Sequence, residues 1–377
     1  MEKFNLIFLP DSNYSDIIID KFEQVAEGKN VYICLANEIK YIKSKKVNFI
    51  HSSLSGRFHG NLSFLNKVYG RIFFNLNSLI TTNFYYKYIH QKSNFKDAKL
   101  IMMFWSGELY NHPAYEESIY DNHSLKYRKN NKLFFSSKAV DFGLRLLKMP
   151  SYSAYYKLNQ SMDYFCCFFQ SEHEIFNRTF QSKSKFVLFT FLDLELLKLQ
   201  ESDFESKKED ILIGNSGSLE NNHAEAFNLL KKLNSEDYRK IIVPLSYGDN
   251  NYIQSIISLG SQYFGERMNA MSEFLDRNQY NNSISNVKVA VFNHYIQQAV
   301  GNILYMLYIG ARIYFNENNP LYKGFLDKGF IVNSLSDLEI IKLKPMDPLD
   351  RKHNKNLILE LLNVNASLNY YKTIAEL

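Results

Sequence analysis

The alternation of short apolar runs with longer amphipathic stretches after residue 210 constrains this chain more than any other feature. Ile211–Ile213, Ile241–Val243, Val287–Phe292, Ala311–Phe315 and Phe330–Val332 read as strands buried on both faces. Stretches of helical period separate them. His223–Leu233 sets Phe227, Leu230 and Leu233 on one face, and Tyr252–Leu259 stops at Gly260. Met268–Leu275 reads as helical, Ile296–Ile309 stops at Gly310, and Leu321–Lys328 is a short helix. Ser334–Ile341 opens on Ser334 or Ser336 as a cap. A repeated strand and helix of this kind predicts a parallel sheet with crossover helices, a doubly wound domain whose ligands sit at the carboxyl ends of the strands.

The first half repeats the pattern less regularly. Its strands are expected at Phe4–Leu9, Asn30–Leu35, Val47–His51, Leu100–Trp105, Tyr164–Phe169 and Phe186–Phe189. The whole is α/β: two Rossmann-type doubly wound domains facing a cleft. A chain of 377 residues suits two domains of this size. The expected division is residues 1–195, a polar linker over 196–210, a second domain over 211–345, and a helical tail over 346–377 that packs back onto the first domain.

No run approaches the roughly 20 apolar residues that a bilayer span requires. Met1–Pro10 is too short for a signal peptide and reads as the first strand. Cys34, Cys166 and Cys167 have no metal-ligand spacing and are too few for a disulfide framework, so a reducing cytoplasm is expected. The net charge of +5 divides unevenly, basic up to residue 190 and acidic beyond it. The basic half suits an anionic membrane surface or a phosphate-bearing partner. Within it, Asn122–Leu158 mixes Lys126, Arg128, Lys129, Lys132, Lys138, Arg145 and Lys148 with Leu, Phe and Tyr, a pattern of membrane-surface helices and equally of ordinary helices with basic outer faces. A nucleic-acid role is disfavoured, because the positive charge is modest and the second half is acidic.

Polar turns follow four of the predicted strands, and three of these turns contain glycine. The first is Gly214-Asn215-Ser216-Gly217-Ser218, with a helix opening near Asn222 and His223. Glycines admit a ligand close to the backbone, Asn and Ser add neutral donors, and a helix start attracts phosphate. It lacks the Lys-Ser/Thr of a P-loop and the dinucleotide spacing. The second, Val243–Asn251, carries Tyr247, a ring suited to stacking on a base. The third, Phe292–Asn302, carries Asn293, His294, Gln297 and Gln298 ahead of Gly301 and Asn302. The fourth, Phe315–Pro320, carries Asn316, Glu317, Asn318 and Asn319, with Glu317 placed to bond a ribose hydroxyl. No Asp-x-Asp triplet occurs, so no metal is expected at the phosphates, and no cofactor either.

Taken in order, these residues resemble a known family. Gly214-Asn215-Ser216-Gly217, Asn222-His223-x-Glu225-Ala226, Val243-Pro244 with Tyr247, Gln297-Gln298 with Gly301, and Asn316 with Asn318, Asn319 and Pro320 are similar to glycosyltransferase family 56, the transferases of TDP-4-acetamido-4,6-dideoxygalactose (Fuc4NAc). The resemblance covers about Ile211–Leu338. Trp105-Ser106-Gly107-Glu108-Leu109-Tyr110 looks like a looser first-half element of that family, although Ser106-Gly107-Glu108 replaces a Gly-x-Asp pattern. His294 and Tyr295 stand where the family has an arginine upstream of the glutamine pair.

The resemblance implies a GT-B architecture, with nucleotide sugar in the second domain and acceptor in the first. It implies a metal-independent hexosyltransferase that moves a Fuc4NAc-like sugar from a TDP donor to a polyprenyl-diphosphate-linked saccharide. The setting would be enterobacterial common antigen, O-antigen or capsule assembly, with the enzyme peripheral on the cytoplasmic face of the inner membrane. A base would come from the first domain. Glu108 and Asp11, each following a strand, are the candidates, with His51, His112 and His294 as alternatives. Competing readings are a GT-B transferase using a UDP- or GDP-sugar and a non-catalytic sugar- or nucleotide-binding module.

Overall fold

The computed structural model describes residues 3–52, 57–75, 78–110, 115, 118–131 and 152–377. The first sheet comprises β1 (Phe4–Leu9), β2 (Asn30–Ala36), β3 (Val47–Ser52), β4 (Phe58–His59), β5 (Tyr69–Asn75), β6 (Lys99–Met103), β7 (Tyr164–Cys167) and β8 (Lys185–Leu188). Its order is β4-β3-β2-β1-β5-β6-β7-β8, parallel except for the β3–β4 pair. The second sheet comprises β9 (Asp210–Ile213), β10 (Ile241–Pro244), β11 (Met268–Met271), β12 (Val287–Phe292), β13 (Arg312–Phe315) and β14 (Asn333–Ser334). Its order is β11-β10-β9-β12-β13-β14, parallel throughout.

Both sheets run outward from their first strand and then restart on its other side. The switch falls between β1 and β5 in one and between β9 and β12 in the other. Each is therefore a doubly wound, Rossmann-type sheet, whose ligand crevice lies beyond the carboxyl ends at that switch. The first core gathers Ile7, Phe22, Phe73, Ile101 and Cys166. The second gathers Ile211, Ile213, Val243, Val289 and Val291. Among the described residues no helix is long and apolar enough to cross a membrane.

Several elements differ from the sequence reading. β5 was not anticipated, because Gly70 and Arg71 interrupt its apolar run, yet it pairs with β1 and β6 at the sheet centre. Met268–Leu275, expected as a helix, begins as β11, which pairs with β10. Its sequence has no strand preference of its own, so pairing decides its state. Gly260 does not end its helix, which runs Asn250–Phe264. It is buried where a Cβ would come within 2.7 Å of the Met268 thioether, and the left-handed Gly265 (φ 55°) stops the helix. The helix expected from Ile296 starts at Val300, because Ala299 is left-handed (φ 60°).

The chain groups into two units. One comprises Met1–Pro113, Phe135–Phe191 and Asn365–Leu377; the other comprises Ala114–Phe134 and Leu192–Val364. The grouping departs from the expected division in three places, the first being that the expected linker, residues 196–210, lies within the second unit, which begins at Leu192. Residues 114–134 join the second unit, because Tyr120 and Tyr127 pack against its core. The tail divides as well. Helix Pro348–Leu362 stays with the second unit, whereas helix Val364–Ala375 buries Tyr370, Tyr371 and Ile374 in the first core. The basic segment Asn122–Leu158 divides between the units. Asn122–Asn131 belongs to the second unit, Tyr152–Gln160 to the first, and residues 132–151 lie outside the described set.

Candidate functional site

The loop after β9 is built on backbone that only glycine adopts readily. Gly214 has φ 66°, and a Cβ there would sit 2.6 Å from Asn221 Oδ1. That oxygen accepts from the Asn215 N–H at 2.9 Å, while Asn221 Nδ2 donates to the Ser216 and Ser218 hydroxyls, each at 3.1 Å. Gly217 bridges to Gly248 in the loop after β10, its N–H donating to the Tyr247 carbonyl at 2.7 Å. A Cβ on Gly248 would come within 2.2 Å of the Gly217 carbonyl carbon. Asn215 Nδ2 reaches the Tyr247 hydroxyl at 3.3 Å, and Tyr247 is 58% exposed. An aromatic ring so exposed beside a glycine turn can stack on a planar base.

At the switch point the β9 and β12 loops exchange hydrogen bonds. Asn222, left-handed at φ 50°, donates from Nδ2 to the Asn293 carbonyl at 3.2 Å. Asn293 Nδ2 donates back to the Asn222 carbonyl at 3.1 Å and to Glu225 Oε2 at 2.8 Å. The Tyr295 hydroxyl donates to the same carboxylate oxygen at 3.1 Å. Asn316, after β13, donates to Asn293 Oδ1 at 2.8 Å and accepts from the Asn318 N–H at 3.0 Å. A strap from the first half of the sequence completes the tie. The Asp121 N–H donates to Asn222 Oδ1 at 2.9 Å, and the Tyr120 hydroxyl to Glu220 at 2.8 Å. The sequence reading missed this strap and the Glu225–Tyr295 pair, which only the tertiary fold brings here.

Two buried histidines lie under these loops. Asn319 Oδ1 accepts from the Leu321 N–H at 2.9 Å, so its Nδ2 must donate to His294 Nδ1 at 3.0 Å. The His294 proton is thereby placed on Nε2. His223 Nδ1 lies 3.3 Å from the Tyr252 hydroxyl. Burial lowers both rings to a pKa of about 3, with the neighbouring His294 adding to the effect on His223. Each is therefore neutral at any physiological pH. Ser216, Asn222, His223, Asn293, Asn316 and Asn319 are all buried, so they shape and hold the loops. Asn215, Ser218, Tyr247, Gln297, Gln298, Gly301 and Asn302 reach the surface wholly or in part.

Helix Val300–Tyr308 begins directly after Gln297 and Gln298 and leaves its first amides without helical carbonyls. Arg277, which sequence reasoning missed, stands beside it. A Cβ on Gly301 would lie 3.0 Å from Arg277 Nη2. Arg277 Nη1 donates to Asn302 Oδ1 at 3.1 Å, and Asn302 Nδ2 donates to the Tyr280 hydroxyl at 3.0 Å. Burial raises the Tyr280 pKa, and the nearby Tyr247 raises it further. Arg277 is the first residue of helix Arg277–Ile284, which opens with the capping box of Asp276 and Gln279. That box was the available signal, masked by reading 268–275 as helix.

Glu317 is placed differently from expectation. It is exposed, and its Oε1 accepts from the Ser336 N–H at 2.9 Å, in the turn after β14. Burial raises its pKa, but the bonds from Ser336 outweigh that and hold it below the usual range. Its carboxylate anchors that turn.

In the first unit, Asp11 follows β1 and accepts from the Lys40, Tyr41 and Ile42 N–H groups at 2.7, 3.0 and 3.1 Å. Burial pushes its pKa up, but the three donors together leave it lowered. A carboxylate so bonded is a loop anchor and a weak base. Glu108 is wholly buried after β6, and its Oε2 accepts from the Trp105 N–H at 3.1 Å. A second buried carboxyl, Glu172, accepts from the Tyr110 hydroxyl at 2.8 Å, and burial raises its pKa to about 8. His51 is exposed on β3, two strands away from β1, and His112 lies outside the described residues.

Known proteins bear on this arrangement in two ways. Residues 167–344 match the model of the 4-alpha-L-fucosyltransferase family, glycosyl transferase group 56. Among solved structures, the sucrose-phosphate synthase of Thermosynechococcus elongatus is similar at 10% identity and TM-score 0.61, over 100% of this chain and 98% of that one. A lipopolysaccharide outer core galactosyltransferase, WaaB, is similar at 10% identity and TM-score 0.59, over 99% and 100%. A glycosyltransferase of Rickettsia africae gives 9% and 0.56, over 100% of both chains. At such identities these structures speak for the fold alone. Together with the family match and the two doubly wound sheets, they make the chain a glycosyltransferase of GT-B fold whose residues 167–344 match the group 56 model.

Proposed function

We propose that the second unit binds a TDP-activated deoxy-amino sugar of the Fuc4NAc kind, and that the first unit presents a polyprenyl-diphosphate-linked saccharide as acceptor. The supporting observation is the joining of four strand-end loops into one hydrogen-bonded set, with Arg277 beside the start of helix Val300–Tyr308. The diphosphate would lie against Arg277, the free amides of that helix and the Gly214–Ser218 backbone. A fixed guanidinium and fixed amides stabilise the charge that builds on the leaving diphosphate without reorganising. Tyr247 would stack on the base. Glu225 and Tyr295, joined by a hydrogen bond, would stand near the sugar.

In the first unit we assign the acceptor proton to Glu108, a buried carboxyl at the end of β6, and leave Asp11 as the anchor of residues 40–42. Action at the cytoplasmic face of the inner membrane, in surface polysaccharide assembly, is part of the same proposal.

The test is calorimetric titration with TDP, UDP and GDP, followed by transfer from the matching amino sugar to a polyprenyl-diphosphate saccharide. Preference for TDP of about tenfold or more supports the reading. A preference for UDP or GDP assigns a different donor to the same loops.

A further inference from the structure

Helix Pro348–Leu362 walls a cavity of about 410 Å³ in the second unit, lined by none of the donor-loop residues. Its size is in the range of small-molecule sites. The Phe204 ring lies beneath two cations, with the Arg351 guanidinium carbon 4.7 Å and Lys355 Nζ 4.1 Å from its centroid. Lys355 is paired with Glu201. Arg351 donates from Nη2 to the Phe204 carbonyl at 2.7 Å, and its Nε is buried without a partner. Gly310 makes room for it, since a Cβ there would lie 2.3 Å from that nitrogen. Among the described residues no carboxylate pairs with Arg351 or with the exposed Lys352.

The cavity is thus lined by three cations and one anion. Lys208, bonded to the Ser285 carbonyl at 2.6 Å, feels the Arg351 charge. Burial lowers its pKa to about 8 and Arg351 adds to the shift, while Asp203 and Glu205 oppose it. The apolar side is supplied by Pro348 and Leu359, with Leu349 78% exposed on the same helix.

We propose that this cavity is a second ligand site, which binds a phosphoryl anion carrying an apolar group. The anion lies between Arg351 and Lys352, whose charges lack a partner, and the apolar part lies along Phe204, Pro348 and Leu359. Two sources share this chemistry, the headgroup of an anionic phospholipid and a soluble phosphate ester. The position gives the site a consequence. Helices Glu201–Glu205 and Pro348–Leu362 lie near in sequence to two of the four points where the chain passes between units, those after Phe191 and after Val364. A ligand bridging them fastens both connecting segments within the second unit. The inference does not depend on the donor reading.

Hydrogen exchange of the full chain tests it, with three probes: inorganic phosphate, hexyl phosphate, and vesicles of phosphatidylglycerol in phosphatidylcholine. Hexyl phosphate or the vesicles are expected to slow exchange over residues 201–205 and 348–359. Inorganic phosphate should need a concentration about tenfold higher, because it forgoes the apolar contact. Lys352→Glu should raise the half-saturating concentration about tenfold, and Arg351→Gln should abolish the effect. Protection by vesicles alone identifies a lipid headgroup; protection by hexyl phosphate identifies a soluble ester. Residues 214–222 report anion binding at the donor loops separately. If Arg351→Gln does not fold, Lys352→Glu carries the test, since its position is exposed. Absence of protection with all three probes, or protection that the folded variants leave unchanged, overturns the proposal.

Discussion

The two sheets share one winding but differ at their carboxyl edges. In the second unit the edge is amide-rich, with Asn215, Asn221, Asn222, Asn293 and Asn316 tying four loops around glycines and left-handed residues. In the first, Asp11 holds one loop, and Tyr14, Trp105 and Phe191 cluster with Trp105 stacked on Phe191 at 4.5 Å. The shared winding therefore fixes where a ligand can lie, and the side chains on the edge decide its chemistry. Neutral donors, a lone guanidinium and free helix amides suit a diphosphate. Aromatic rings and buried carboxyls suit a sugar and a proton transfer.

The sharpest way to break this contrast is to compare glycines. Gly248→Ala should cost about 3 kcal/mol or more and abolish nucleotide binding, because its Cβ would meet the Gly217 backbone at 2.2 Å and its φ is 137°. Gly28→Ala in the first unit shares a positive φ but meets open space, and should cost only about 1–2 kcal/mol. Urea unfolding and calorimetry check both. Equal losses would mean that the second edge is no more tightly built than the first.

Next in size is Arg277→Gln, expected to lower kcat about 10²- to 10³-fold with the fold retained, as measured by steady-state transfer and circular dichroism. Glu108→Gln should cost turnover by a similar factor while leaving nucleotide affinity unchanged. Asp11→Asn should leave turnover within about threefold, because its work is to hold backbone amides, a prediction of modest stability loss near 1 kcal/mol.

How much of this was legible in the sequence depends on where the information resides. Strands β9, β10, β12 and β13 and the glycine turns announced themselves, because burial on both faces leaves a continuous apolar run and a left-handed turn demands glycine. The apolar run Phe330–Val332 reads as a strand too, but the strand forms instead at Asn333–Ser334. β5 and β11 did not announce themselves, since their state is set by pairing with neighbours and not by their own residues. Arg277 was hidden for the same reason, and Tyr120 because its segment crosses to the second unit. Asp11 and Glu317 were seen as chemistry when their oxygens were bound for backbone N–H groups that no spacing reveals.

The units are also separated by pH. His223 and His294 are neutral in the fold, with pKa lowered from 6.5 to about 3 by burial. The unfolded chain then binds more protons between those values, so stability of the second unit falls as pH drops from 6.5 toward 3. Glu172 acts oppositely. Burial raises it from 4.5 to about 8, so the stability it contributes is present below pH 4.5 and lost as pH rises through that window. Each group contributes a slope of at most about 1.4 kcal/mol per pH unit. Unit-resolved hydrogen exchange at pH 5 and pH 7.5 should show opposite trends, and His294→Gln should flatten that of the second unit.

The most direct measurement is hydrogen exchange with and without TDP and a TDP-linked amino sugar. Slowed exchange in residues 214–222, 247–249 and 297–303, with the first unit's strand ends unchanged, is the predicted result. Protection confined to the loops after β1 and β6, or none anywhere at saturating nucleotide, would contradict the assignment of the donor to the amide-rich edge.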